Sequence, residues 1–224
     1  MESTKVVVYT AIFGGYDALH DPVYHYANVD YRCFTDEEDH TTEFWEVRVQ
    51  PLKARTHGRA ARYRKIMAHV FVPDADYSLW IDGNIALVRA DIRGLCEELL
   101  AHHDIAVFKH MERDCIHQEA AANIILKKEF PQRINRQVNR YRLEGYPDHH
   151  GLVETGVLFR RHNQQTREFN EAWWQEIVRE THRDQLSFNY VCWKLGMSYA
   201  IIPGNARLNR CPWLCYVGHG VGRT

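Results

Sequence analysis

Asp82, Gly83 and Asn84 stand where one apolar run, YSLWI (77–81), ends and a second, IALV (85–88), begins. A carboxylate and a carboxamide two residues apart offer the oxygen donors that Mg²⁺ and Mn²⁺ prefer. Such an ion bridges protein oxygens to those of a diphosphate. Ligands of open α/β sheets gather at the carboxyl ends of strands, where this triplet would lie. Glycine between the two polar residues lets a phosphate approach the backbone closely. Asp-Gly-Asn is also favoured turn chemistry between two strands, and taken alone the triplet reads first as such a turn. Upstream, residues 57–71 read as a helix carrying Arg59, Arg62, Arg64 and Lys65. Arg62 and Lys65 are three apart and share a helical face. That face is either a clamp for a diphosphate or a solvated basic surface.

These residues need a scaffold, and the chain supplies an alternation of strand-like and helix-like segments. This favours an α/β sandwich with a mostly parallel sheet. VVVYTAI (6–12) is a β-branched run with the look of a strand buried on both faces, ended by Gly14-Gly15. YRCFT (31–35) and FWEVRV (44–49) follow as strands, and Pro73-Asp74 closes the basic helix. After the triplet, 92–101 reads as a helix and DIAVF (104–108) as a buried strand. The polar stretch 117–145 reads as helix broken near Pro131. LVETGVLFR (152–160) reads as a strand, 164–179 and 184–195 as amphipathic helices, YAII (199–202) as a short strand, and the tail from Pro203 as loop. No repeat, low-complexity tract or linker divides the chain, so residues 1–224 are expected to form a single domain.

Composition excludes several classes. With 28 basic and 29 acidic residues the formal net charge is −1, so no global field favours nucleic acid, and no nucleic-acid partner is expected. No segment approaches the roughly 20 apolar residues of a membrane-spanning helix. Met1–Lys5 leads directly into the first strand without the features of a signal peptide, so a cytoplasmic location is expected. Six cysteines without a CxxC pair read as reduced thiols. Cys211, Cys215 and His219, at four-residue spacing, also suit a zinc-stabilised interaction domain, although no fourth ligand is apparent. No P-loop or GxGxxG fingerprint points to a kinase or a dehydrogenase.

Several stretches resemble, in order, the glycosyltransferase-like domain of plant mucilage and tapetal proteins and their bacterial relatives. They are VVVYTAIFGGYD (6–17), CFTD (33–36), ARYRKI (61–66), LWIDGNIAL (79–87), CIHQEA (115–120), Glu154-Thr155-Gly156 and RDQLSFNYVCWK (183–194). The resemblance implies a single-domain GT-A (Rossmann-like) three-layer α/β/α sandwich with a mixed, mostly parallel central sheet. It also implies a nucleotide-sugar donor with uracil as its base, Mn²⁺ or Mg²⁺, and a carbohydrate or lipid-linked acceptor. In layout the chain is similar to the glycogenin-like transferases, in which a DxD motif and a C-terminal histidine hold the metal and an Asp-Gln pair lies near the reacting sugar.

Carried onto this chain, the resemblance makes Asp82, Asn84 and His219 the metal ligands, with Asn84 departing from DxD. It makes Thr10, Ala11, Asp36, Arg62, Lys65, Asp82 and Gly83 the nucleotide-sugar contacts, and Asp184, Gln185 and Glu154 the catalytic group. Asp36 can instead cap a turn, and Asp184, near a helix start, can be a helix cap. Trp173, Trp174 and Trp213 are either a sugar platform or core. In a retaining reaction the leaving phosphate can take the acceptor proton; an inverting one needs a base such as Asp184 or Glu154. A catalytically silent nucleotide- or glycan-binding module and a metal-dependent nucleotidyltransferase remain open.

Overall fold

Val6–Ile12 (β1) is buried along its whole length, as a β-branched run covered on both faces should be. A computed structural model describes residues 4–52, 56–88 and 91–219. Met1–Ser3 of the leading pentapeptide lie outside the described residues. β1 is flanked in parallel by β2 (Val29–Thr35) and β4 (Tyr77–Ile81), and β2 pairs in parallel with β3 (Glu46–Val49). Beyond β4 lie β7 (Val153–Arg161), β6 (Ile105–Lys109) and β8 (Ala200–Ile201), which gives the order β3-β2-β1-β4-β7-β6-β8. Only β7 runs against its neighbours. The sheet is therefore mixed and mostly parallel, as expected.

Helices cover both faces. On one lie α1 (His57–Ile66), α2 (Ala68–Phe71), α4 (Ile116–Ile125), α5 (Pro131–Leu143), α6 (Gln164–Arg179) and α7 (Gln185–Leu195). Their apolar residues, among them Ile66, Phe169, Trp173 and Phe188, pack with Val7, Tyr9 and Ala11 of β1. On the other face α3 (Ile92–Leu99) joins Trp45 and Trp213 against Val6, Val8 and Ile12. Alternate residues of β1 thus feed two cores, as the two-residue strand period requires.

Two segments differ from the sequence expectation. The helix expected over 57–71 divides at Met67, which leaves helical geometry at φ −88° and ψ 48°. There the Tyr9 hydroxyl and Arg160 Nη1 donate to the Lys65 carbonyl at 3.0 and 2.7 Å, anchoring the end of α1 to the sheet. The C-terminal tail contains a strand, β9 (Leu214–Tyr216), antiparallel to β5 (Ile85–Leu87). The tail thereby covers an edge directly after the Asp82 turn.

Candidate functional site

The parallel strands β1, β2 and β4 deliver their carboxyl ends to one rim of the sheet, and antiparallel β7 delivers its beginning there. Asp82 N donates to the Gly156 carbonyl at 2.8 Å, so the Asp82 turn and the Glu154-Thr155-Gly156 segment lie side by side. A cleft of about 540 Å³ opens at this rim, with the amino end of α7 and the basic face of α1 on its walls.

Lys65 is the hub of the cleft. Its Nζ lies 2.7 Å from Asp184 Oδ2, 3.2 Å from Thr155 Oγ1 and 3.3 Å from Asp82 Oδ1. Thr155 Oγ1 donates to Asp184 Oδ2 at 2.9 Å, and Arg62 Nε lies 3.5 Å from Asp184 Oδ1. Lys65 and Asp184 side chains are 5% and 6% exposed, so theirs is a buried ion pair; Asp82 is 40% exposed. Burial by itself would raise the Asp184 pKa, but Lys65, Arg62 and Arg183 outweigh it and hold the carboxyl below its ordinary value. Asp184 starts α7 without making a side-chain capping bond. Its carboxylate faces the cleft instead of the helix end.

The Asp82 turn is itself held. Trp80 Nε1 donates to Asp82 Oδ1 at 2.7 Å. His219 Nδ1 lies 2.8 Å from Asp17 Oδ1, and its Nε2 lies 3.3 Å from Asn84 Nδ2. This pairing puts the imidazole proton on Nδ1, leaves the Nε2 lone pair toward Asn84, and is the carboxylate–histidine arrangement that orients imidazole ligands of metals. Asp82, Asn84 and His219 all line the cleft. An oxygen anion, an amide oxygen after a simple flip, and an oriented imidazole fit the donor chemistry of Mn²⁺. Among the described residues no group of three His, Cys, Asp or Glu side chains forms a cage. Ligand oxygens would have to complete the shell.

The expected sugar and nucleotide residues separate into two sets. Ala11, Arg62, Lys65, Asp82, Gly83, Asn84, Asp184, Gln185 and His219 share the cleft. Thr10 and Asp36 are not among its lining residues. Thr10 packs on the opposite core with Val8, as strand alternation dictates, and its buried hydroxyl has no partner among the described residues. Asp36 accepts a bond from Gly14 N at 2.8 Å and lies 3.6 Å from His57, so it holds the loop after β1 from behind. Gly14 itself sits at φ +64°, where a Cβ would collide with the His57 ring. The space that Gly83 leaves is also filled from within. A Cβ there would lie 2.9 Å from Asp17 Cβ. The close approach is that of the Asp17 loop.

Glu154, on the same face of β7 as Gly156, lines a small adjoining cavity with Asp82, Asn84 and Arg207. Burial raises its pKa, opposed by Arg207, whose Nε lies 3.6 Å away. Arg59 turns out of the cleft to donate to the Ile177 carbonyl. Trp173 is fully buried, donating to Ser187 and the Asp184 carbonyl, and Trp213 packs between Phe108 and Phe159, so both are core. Trp174 packs against Tyr63.

Several residues of the cleft were not singled out in the sequence. Tyr16, Asp17, Lys128, His182, Arg183 and Arg207 line it. Tyr16 and Asp17 stand in the FGGYD string and Arg183 opens the RDQLSF string, so these three had a signal in the sequence; Lys128, His182 and Arg207 come from loops with none. Five cations (Arg62, Lys65, Lys128, Arg183, Arg207) line the cleft with three carboxylates (Asp17, Asp82, Asp184); Glu154, paired with Arg207 in the adjoining cavity, is a fourth, leaving a formal excess of one positive charge with histidines neutral.

Residues 33–202 match the family model of the TOD1/MUCI70 glycosyltransferase-like domain. The chain is 30% identical over 214 residues to the probable hexosyltransferase MUCI70 of Arabidopsis thaliana, covering 83% of this chain and 37% of that protein. It thus spans about two fifths of that relative's length. Its fold is similar to that of mouse xyloside xylosyltransferase 1 in the apo form. The TM-score is 0.50 at 12% identity, over 89% of this chain and 84% of the other. A glycosyltransferase involved in glycosylation of the major capsid of PBCV-1 aligns at a TM-score of 0.44 and 11% identity, over 88% and 81% of the two chains. The strand order and the first of these likenesses bear out the GT-A fold.

Proposed function

We propose that this chain, which belongs to the TOD1/MUCI70 glycosyltransferase-like family, moves a sugar from a nucleoside-diphosphate donor, with UDP as the nucleotide, to a hydroxyl of a carbohydrate or lipid-linked acceptor. The observation that carries this reading is the cleft's charge. Cations that outnumber carboxylates, set beside a turn with oxygen donors for a divalent ion, suit a diphosphate ester bearing about two negative charges. Arg62 and Lys65 would face the phosphates, as the basic helix face suggested. The exposed ring of Tyr16, standing edge-on to His219, offers a π-face to the base. A divalent cation held by Asp82, Asn84 and His219 would neutralise charge on the departing diphosphate.

The carboxylates divide the remaining work by their pKa directions. Asp184 is held ionised by Lys65 and Arg62, which makes it a poor proton acceptor and a good fixed acceptor for sugar hydroxyls. Glu154, raised by burial, is the better candidate to take a proton from the incoming hydroxyl. Gln185 donates to the Val153 carbonyl at 3.1 Å, tying the start of α7 to the strand that bears Glu154.

Calorimetric titration of UDP-sugars with and without Mn²⁺ tests the reading, together with product analysis. Donor binding that strengthens with Mn²⁺, and release of UDP rather than pyrophosphate, are expected. Asp82→Ala should abolish turnover in a protein that still folds, with a melting temperature lowered by about 2–12 °C because the buried Trp80 N–H loses its acceptor. Full turnover in that variant would sink the site.

A further inference from the structure

We propose that the turn joining α4 to α5 docks the protein on an anionic lipid surface, with the cleft mouth beside the bilayer. The inference rests on how one six-residue stretch, Ile125–Phe130, distributes its side chains. Ile125, Leu126 and Phe130 are 78%, 59% and 69% exposed. Three large apolar side chains so close together on a water-facing turn form the kind of patch that marks an interaction surface. Lys127 and Lys128, between them, are exposed as well. Among the described residues neither ammonium has an ion-pair partner.

The acid of the same stretch is sorted the other way. The Glu129 side chain is only 4% exposed, with His182 Nδ1 at 2.6 Å and Arg133 Nη1 at 3.6 Å. Its charge is turned inward and matched. What the turn shows to water is therefore apolar and cationic, without compensating acid. That combination is what an interfacial segment needs: apolar side chains to enter the acyl boundary and lysines for the negative surface potential. Charge complementarity selects an anionic bilayer over a neutral one.

The turn is also built to hold its shape. Lys127 adopts φ +51°, and its N–H and that of Lys128 bond back to the Ile124 and Asn123 carbonyls at 3.0 and 2.9 Å. Asn123 is tied in turn to Glu119, and Ala120, Ile134, Val138 and Leu186 pack α4 and α5 against α7 beneath it. The apolar side chains are thus held outward by a fixed base. Lys128 belongs both to this turn and to the cleft lining, so docking through the turn sets the cleft mouth against the membrane. The proposal concerns association with lipid and does not depend on the transfer reaction.

Vesicle co-sedimentation of the intact chain tests it, using phosphatidylcholine alone and an equal mixture with phosphatidylglycerol. Association with the mixed vesicles, at least about tenfold tighter than with phosphatidylcholine and weakened by salt, is expected. Ile125→Ser/Leu126→Ser/Phe130→Ser should weaken it on the order of a hundredfold, and Lys127→Glu on the order of tenfold. Both variants should keep the wild-type melting temperature and nucleotide affinity, since the altered side chains are exposed. No association of the wild type with mixed vesicles overturns the proposal, as does unchanged association of the triple variant. A wild-type dimer in solution that the triple variant abolishes also overturns it, by showing that a second copy covers the patch.

Discussion

Replacing Lys65 by methionine isolates the interaction on which the cleft is built. Lys65 makes two ion pairs, and they are unequal. The contact with Asp82 is 3.3 Å long and its carboxylate is 40% exposed, so water screens it and it contributes well under about 1 kcal/mol. The contact with Asp184 is 2.7 Å between side chains that are both nearly buried. Removing one partner of such a pair strands the other charge and costs about 3–5 kcal/mol. Arg62, at 3.5 Å, remains to soften the loss, so about 3 kcal/mol is expected at pH 7, a melting-temperature fall of about 6–12 °C.

The pH dependence has a definite sign. In the wild type the Asp184 pKa is lowered, so its stabilising contribution is fully present above the unfolded value of about 3.9 and is lost as pH falls through the folded value. Without Lys65, burial is no longer outweighed to the same degree and the folded pKa rises. The gap between variant and wild type should therefore be widest near neutrality and narrow as pH falls toward about 4. Thermal and urea unfolding at several pH values provide the measurement. Lys65→Met/Asp184→Asn, which buries no stranded charge, should be more stable than Lys65→Met alone. A loss below about 1 kcal/mol, or a gap that does not change with pH, would refute the assignment of Lys65–Asp184 as a buried pair.

Two further substitutions probe the turn. Asn84→Asp adds a charged oxygen beside His219 Nε2 and should tighten Mn²⁺ binding on the order of tenfold by calorimetry; unchanged affinity would show that Asn84 serves only to hold His219. Gly83→Ala places a methyl 2.9 Å from Asp17 Cβ and 3.2 Å from Ile12, so Asp17 must move and the 2.8 Å bond to His219 should break. A destabilisation of about 1–3 kcal/mol is expected, with the His219 imidazole signals shifting in NMR spectra; an unmoved His219 resonance would mean that the loop yields instead.

Local pattern carried much of the architecture. β-branched and aromatic runs bounded by glycine or proline read directly as β1, β4 and β7, because a strand buried on both faces leaves little choice of composition. The pairing of Arg62 with Lys65 on one helical face was legible for the same reason, since 3.6 residues per turn is a local property. The family resemblance rested on short strings in order and needed no coordinates. Long-range placement was not legible. Thr10 and Ala11 are neighbours in sequence, yet strand alternation sends one to the far core and the other to the cleft. Lys128, Arg183 and Arg207 reach the same cleft from loops scattered over about 80 residues, and only the packing of α4, α5 and α7 brings the first two together. Asp184 shows the division most clearly. Its position at a helix start was readable and suggested a cap. Whether its carboxylate would turn to the helix or to Lys65 depended on an ammonium 119 residues away, held there because Tyr9 and Arg160 fix the end of α1. Sequence determined which groups were available, and the tertiary fold, by burying some charges beside others, determined which of them act together.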